Sequence, residues 1–252
     1  MVTSAAPESA ASAPAPALRR LSALEREAYE RAGYVLVPDV IPASELAKID
    51  AEIDRLVTVP GVEAGPRRQG WIYDIRRRSQ ITSQFAEDER LLALVADVVK
   101  PGIAIHSTKL VTKVPYTQDI CHWHQDEAFY RKPEDPHTHS QARMSVWVPL
   151  QDADERNGCL WVVPGSHRWG LEDFTWQETG TCQKRIDRWE YADQHAVSLP
   201  ARAGSVVLFS AWTWHHSKHN QTAGIRRAFI VSYQEATVPR GAGEQWKILR
   251  EA

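Results

Sequence analysis

Cysteine is scarce in this chain: Cys121, Cys159 and Cys182 are the only three, and no two stand in a C-x-x-C spacing. Three thiols cannot all be bridged to one another. That argues against a disulfide-stapled scaffold and a structural zinc site, and favours a reducing, cytoplasmic setting. No apolar run approaches the roughly 20 residues a membrane-crossing helix needs, which excludes a membrane partner of that kind. A surplus of either charge is missing too. The formal net charge is −2, with both signs mixed along the chain, which removes the electrostatic case for nucleic acid or an anionic membrane surface. The opening stretch is rich in Ala, Pro and Ser between Ala5 and Ala17 but lacks the continuous apolar segment of a secretory signal. Residues 1–20 therefore read as a disordered tail.

What the chain does have is enough apolar residue for a sizeable core, 43% of 252 positions, and ten tryptophans. Residues 21–252 suit a single domain. A helix is expected from Leu21 to Arg31, capped by Ser22 and ended by Gly33. A short strand follows at Tyr34–Val37, then a helix from Pro42 carrying Leu46, Ile49, Ile53 and Leu56. Val59–Gln69 reads as a loop, Trp71–Ile75 as extended, and residues 86–99 as a third helix. From Ile103 onward short β-branched and aromatic runs recur between turn signals: Ile103–Val114, Ile120–Asp126, Arg143–Leu150, Cys159–Val163, Ala196–Leu199, Ser205–Thr213 and Arg227–Tyr233. That rhythm predicts a mainly β fold, a barrel or two-sheet jelly roll buttressed by the N-terminal helices. Residues 165–196 interrupt it. A long insertion rich in Trp, Glu, Gln and Arg at such a place is expected to act as a lid or binding loop.

The chemistry centres on Cys121-His122-Trp123-His124-Gln125-Asp126. His124 and Asp126 are two residues apart, so an extended strand puts both side chains on one face. One further histidine would complete the two-His-one-carboxylate set of non-haem Fe(II) oxygenases, which leaves three metal positions open. The cluster Trp214-His215-His216-Ser217-Lys218-His219 supplies candidates, and strand alternation alone does not choose between His215 and His216. His122 shares the face of His124 and is a rival, or a group orienting a ligand. If Asn220 and Gln221 form the tip of a hairpin, Arg226 returns opposite His215. A planar guanidinium there would bind the distal carboxylate of an oxo acid such as 2-oxoglutarate. Arg227 would then face the other way, where a surface ion pair is its expected role. His167, in a Pro-Gly-Ser-His turn, reads as structural, and His137, His139 and His195 as loop or surface residues.

Taken together, Trp123-His124-Gln125-Asp126, Asn157-Gly158-Cys159-Leu160-Trp161-Val162-Val163-Pro164-Gly165-Ser166-His167 and His215 to Thr222 with Arg226 beyond resemble the phytanoyl-CoA dioxygenase family of Fe(II)/2-oxoglutarate oxygenases. The similarity runs from about Leu24 to Tyr233. It implies a double-stranded β-helix with the iron between its sheets. It assigns His124, Asp126 and His215 to iron, Arg226 to the oxoglutarate carboxylate, and Ser217 to a hydroxyl assisting it. Trp147 and Lys109 match positions near the cosubstrate, and Lys113 a lysine common before the proline of its strand. His216 departs from the pattern, which more often has glycine there.

The activity the resemblance implies uses Fe(II), 2-oxoglutarate and O2 to oxidise a small molecule by hydroxylation or oxidative ring closure. Aspartate at 126, rather than Gly or Ala, argues against a halogenase. An Ala/Arg/Trp-rich chain suits a bacterium of high GC content, where family members tailor secondary metabolites. The tryptophans suit a ring- or sugar-bearing substrate. A monomer or weak homo-oligomer is expected. The competing readings are a cupin-like metal isomerase or oxygenase without oxoglutarate, and a metal-free small-molecule-binding barrel.

Overall fold

The structure, a computed structural model, describes residues 18–59, 61, 70–130, 140–238 and 246–252. The tail up to residue 17, most of the expected loop Val59–Gln69, His137 and His139 lie outside the described residues.

Helix α1 spans Ala23–Ala32 and begins as its sequence dictates. Ser22 accepts the amide of Glu25, and Glu25 reaches back to the Ser22 amide in a reciprocal cap. Gly33 ends it in the left-handed conformation, where a Cβ would collide with His167 and Thr213. Strand β1 (Tyr34–Val37) and helix α2 (Ala43–Val57) follow, then β2 (Trp71–Tyr73). Of the helix expected over residues 86–99 only α4 (Glu89–Val95) forms, and a separate helix that was not expected, α3 (Gln80–Ala86), precedes it. The break falls at Asp88, whose carboxylate accepts the Arg90 amide and starts a new helix.

The remaining strands are β3 (Ile103–Lys113), β4 (Cys121–His124), β5 (Met144–Pro149), β6 (Leu160–Val162), β7 (Phe174–Trp176), β8 (Lys184–Ile186), β9 (Val197–Leu199), β10 (Val206–Ser210), β11 (His215–Ser217), β12 (Arg226–Gln234) and β13 (Lys247–Arg250). Two short helices join them, α5 (Glu127–Tyr130) and α6 (Trp189–His195). Seven strands form the larger sheet, in the order β1-β10-β5-β12-β3-β13 with β2 added against β3; β4-β11-β6-β9 form the smaller. This is the jelly roll expected, with its sheets facing one another rather than hydrogen-bonded into a closed barrel among the described residues.

Period-two alternation divides the larger sheet's side chains between two cores. Met144, Val146 and Val148 of β5, Val206 and Leu208 of β10, and Phe229, Val231 and Tyr233 of β12 pack against α2, α3 and α4. Their neighbours Trp147, Val207, Phe209 and Ala228 turn inward and meet Leu160 and Val162 of the smaller sheet. At roughly 25 cal/mol per Å² of apolar area, these two layers hold the scaffold. The polar residues on the inward face are left free for function.

Candidate active site

Inward-facing positions of both sheets line one cavity of about 230 Å³. His124 ends β4, Asp126 sits in the turn just beyond it, and His215 opens β11, which pairs with β4 so that the two histidines lie side by side. Nε2 of His124 is 3.7 Å and Nε2 of His215 4.0 Å from Oδ1 of Asp126, and the imidazole centroids are 4.0 Å apart. Each Nδ1 is held by a carbonyl, His124 by His122 at 2.7 Å and His215 by Thr213 at 2.8 Å. An Nδ1–H that donates to a carbonyl leaves the Nε2 lone pair bare and fixes the ring. Three donor atoms thus converge with no hydrogen between them, a donor set that fits a divalent cation of intermediate hardness.

The electrostatics agree. Burial alone would raise the Asp126 carboxyl, yet the Lys109 ammonium beside it holds it well below the ordinary carboxylate range. His215 is pushed down to about 3 by burial, with His124 adding to the effect, so it stays a neutral ligand. His216 also falls to about 3, by burial and by Lys218. Its ring lies stacked on Trp123 at 4.1 Å and is not one of the converging donors. His122 turns outward, with Nε2 2.8 Å from the Thr179 carbonyl.

Across the cavity lies Arg226. It is 2% exposed, its Nε has no hydrogen-bond partner, and no carboxylate pairs with it among the described residues. Burial pulls its pKa down to about 10. A buried, unpaired guanidinium is costly, and an anion beside it would relieve that cost. The Trp147 ring stands beside it, with Cζ 5.9 Å from the ring centroid. Lys113, opposite Arg226 in the β3–β12 register, is pushed down to about 7 by burial and by the Arg226 charge. Lys109, Trp147, Ser217 and Arg226 share the cavity with His124, Asp126 and His215, whereas the rival His122 does not line it.

The sequence matches the family profile described as phytanoyl-CoA dioxygenase over residues 29–228. The chain belongs to the phytanoyl-CoA dioxygenase family. It is 26% identical over 234 residues to the ectoine dioxygenase of Streptomyces avermitilis, covering 84% of this chain and 78% of that protein. It is 27% identical over 236 residues to the peroxisomal phytanoyl-CoA dioxygenase of Rattus norvegicus, covering 84% and 68%. Among solved structures it is similar in fold to the α-ketoglutarate-dependent carbocyclase SnoK from nogalamycin biosynthesis, with a TM-score of 0.71, 23% identity and 86% and 85% of the two chains covered. EctD from S. alaskensis with bound Fe gives a TM-score of 0.72, 24% identity and coverage of 86% and 78%. Like the family, the chain is an Fe(II)/2-oxoglutarate-dependent dioxygenase, and the His-Asp-His set and the anion-seeking arginine fit those two groups.

Three features of this family member differ from, or were absent from, the sequence-based expectation. Arg226 does not face His215 across a hairpin. His215 pairs with His124 and Val162 in the smaller sheet, and Arg226 with Lys113 in the larger; they meet because the sheets face each other. Arg227 does point away, as alternation requires, and pairs with Asp50 and Asp54 of α2 at 2.8 and 2.6 Å. The second feature is a disulfide between Cys121 and Cys182, where reduced thiols were expected. It fastens the insertion to the strand that carries His124, and both cysteines lie on the cavity wall. Cys159 is the buried free thiol. Closing a loop of this size contributes about 2–4 kcal/mol. Cys182→Ser is therefore expected to lower the thermal midpoint measurably relative to the oxidised protein, and reduction of the wild type should lower it equally. Calorimetry with and without dithiothreitol checks this, and no effect of either would show that the bond does not constrain the chain.

The third feature is the residue between the two ligand candidates. Gln125 is fully buried. Its amide donates to the carbonyls of Gly170 and Trp212 at 2.8 and 2.7 Å and accepts the Glu172 amide at 2.8 Å. The start of the insertion is thereby tied to the strand end that bears the site. The insertion itself is not irregular: it holds the β7–β8 hairpin and α6. Trp169 packs edge-on against Trp214, Trp189 joins the small cluster around Trp123, and Trp176 is 61% exposed.

Proposed function

We propose that His124, Asp126 and His215 hold the iron, that Arg226, assisted by Ser217 and Lys113, holds the far carboxylate of 2-oxoglutarate, and that Trp147 and Lys109 flank it. The observation that carries this is the pairing of three convergent donor atoms with a buried, partnerless arginine across one cavity. A cupin-like metal enzyme that uses no oxo acid, or a metal-free barrel, would have no use for that arginine. When bound, iron and oxoglutarate supply an O2-derived oxidant that removes hydrogen from the substrate as oxoglutarate loses CO2 to become succinate.

The chain's own part is to orient and to exclude. The Nδ1 bonds aim both imidazoles, Arg226 and its neighbours fix the cosubstrate, and the aromatic wall of Trp71, Tyr73, Phe129 and Tyr130 offers flat faces to a small ring- or sugar-bearing molecule. We propose that residues 165–196 serve as its lid. Gln125, the disulfide and the bond from Lys184 to the Ala128 carbonyl all anchor that segment against the cavity wall. Hydroxylation or oxidative ring closure in a bacterial secondary pathway is the context proposed, in keeping with fold neighbours from nogalamycin biosynthesis. We keep the cytoplasm as the proposed setting because the reaction consumes oxoglutarate, a central metabolite; the Cys121–Cys182 disulfide removes the thiol argument for a reducing compartment. A monomer or weak homo-oligomer is proposed. No helix among the described residues is long and apolar enough to cross a membrane. The test is succinate formation from oxoglutarate with Fe(II) and O2, stimulated by members of a panel spanning ectoine, glycosides and polycyclic phenols. No succinate under any condition would overturn the reading.

Lys113 gives this reading a pH signature. Burial and the neighbouring Arg226 charge pull its pKa down to about 7, below the ordinary lysine value, so the folded protein favours the neutral amine. The stability this represents is present above the ordinary value near 10.5 and is lost as pH falls toward 7. A carboxylate placed beside it restores the charge. Oxoglutarate binding is thus expected to take up a proton between about pH 7 and 10, with affinity falling as pH rises through that window. Titration calorimetry in buffers of different ionisation enthalpy measures the uptake, and Lys113→Met should abolish it.

A further inference from the structure

We propose that Ser145, Ser232 and Tyr130 are positioning residues for iron, acting as a one-way chain of hydrogen bonds that ties the Lys109 ammonium to the back of the Asp126 carboxylate. The proposal rests on the reading of Asp126 as an iron ligand. Oδ1 of Asp126 faces the two Nε2 atoms, and Oδ2 accepts the Ser145 hydroxyl at 2.6 Å. Ser145 and Ser232 occupy paired positions on β5 and β12, with Oγ atoms 3.1 Å apart, and both are fully buried. The Tyr130 hydroxyl lies 3.2 Å from Ser232 and 2.8 Å from Nζ of Lys109. Nζ in turn is 3.5 Å from Oδ1, which closes the ring.

The direction of every bond in this ring follows from its two ends. A carboxylate only accepts and an ammonium only donates. Ser145 has one proton and gives it to Asp126, so it must accept from Ser232. Ser232 has then spent its proton and must accept from Tyr130, which leaves Tyr130 to accept from Lys109. The contact of Tyr130 with Ser107 is longer, at 3.5 Å, and is one in which Ser107 donates. Each hydroxyl is polarised by the one before it, and in a buried, low-dielectric setting such a chain strengthens its last bond. The result is that Oδ2 is occupied and Oδ1 alone is presented to the metal beside the two imidazoles. Serines at 145 and 232 are otherwise unexplained: each stands on the inward face of its strand, beside Trp147 on β5 and beyond Arg226, Ala228 and Ile230 on β12.

The distinguishing residue is Ser232, which makes no bond to Asp126 and does not itself line the cavity. Metal-stripped full-length protein is titrated with Co(II) under anaerobic conditions, following its visible absorption, with thermal midpoints measured alongside. Partners behind a metal ligand typically matter by about 10–100-fold in affinity. Ser145→Ala is expected to fall in that range and Ser232→Ala to weaken Co(II) by roughly three- to ten-fold, with Ser232→Thr restoring it. The double variant should bind no more weakly than Ser145→Ala, because the chain is already cut. Wild-type affinity in Ser232→Ala, or losses that multiply in the double variant, would overturn the chain. Equal Co(II) binding by wild type and Asp126→Ala would instead overturn the ligand reading on which it rests. A loss in Ser232→Ala that Ser232→Thr does not restore, or that merely tracks a lowered midpoint, would reduce the serine to a packing role and overturn the proposal too.

Discussion

Alanine at His215 is expected to abolish iron-dependent turnover of oxoglutarate while leaving the protein folded. The imidazole supplies one of three donors, so its loss leaves His124 and Asp126 as a pair with no facial geometry. Groups that only support a ligand are worth about 10–100-fold in metal affinity, and the loss of the ligand itself should exceed that. The scaffold does not depend on it. The two cores are made of apolar residues on either face of the larger sheet, and the ring's own bond is a single one to the Thr213 carbonyl. His122→Ala is the matched comparison. It removes a histidine of the neighbouring strand β4 whose Nε2 is bonded to Thr179 and turned away from the converging donors. Iron-dependent succinate release, metal content and circular dichroism of both variants decide the matter. Retained turnover in His215→Ala with loss in His122→Ala would move the ligand to β4.

Why this triad could be read before the fold was seen, and other parts could not, has a physical basis. His124 and Asp126 are local, and a spacing of two survives even though Asp126 lies in the turn beyond β4 rather than in the strand. Capping and periodicity are local too, so Ser22, Gly33 and the apolar face of α2 announced their helices. The choice between His215 and His216 is not local. It depends on which imidazole faces the opposite sheet, and β11 is a three-residue strand too short for alternation to register. The disulfide joins positions 61 apart, and nothing in a cysteine count fixes that approach. The hairpin argument reached an arginine that does line the cavity by an incorrect path, since two facing sheets juxtapose residues that no turn connects. Ser145 and Ser232 carried a signal that went unused: a hydroxyl on the inward face of an apolar strand needs a partner.

The arginine pair offers the sharpest contrast, because neighbouring residues of one strand should respond to the same substitution in opposite ways. Arg226→Met keeps most of the side-chain volume and removes the charge. A charge-assisted bond to a carboxylate is worth about 1.5–3 kcal/mol, so oxoglutarate binding should weaken roughly ten- to a hundred-fold. The thermal midpoint of the ligand-free protein should hold or rise. The guanidinium there is desolvated, its Nε is unpartnered, and replacing an unpaired buried charge by a hydrophobe of similar size relieves that penalty. Arg227→Met should do the reverse. It breaks pairs with Asp50 and Asp54, which are 32% and 66% exposed, a loss of up to about 1 kcal/mol of stability, and it leaves oxoglutarate binding unchanged because Arg227 faces α2. The two measurements are the Michaelis constant for oxoglutarate and the ligand-free melting temperature, made on both variants. If Arg227→Met weakened oxoglutarate as much as Arg226→Met, the β12 register that turns Arg226 into the cavity would be wrong. If Arg226→Met instead destabilised the empty protein without touching oxoglutarate, the arginine would be structural and the cosubstrate anchor would lie elsewhere on the cavity wall.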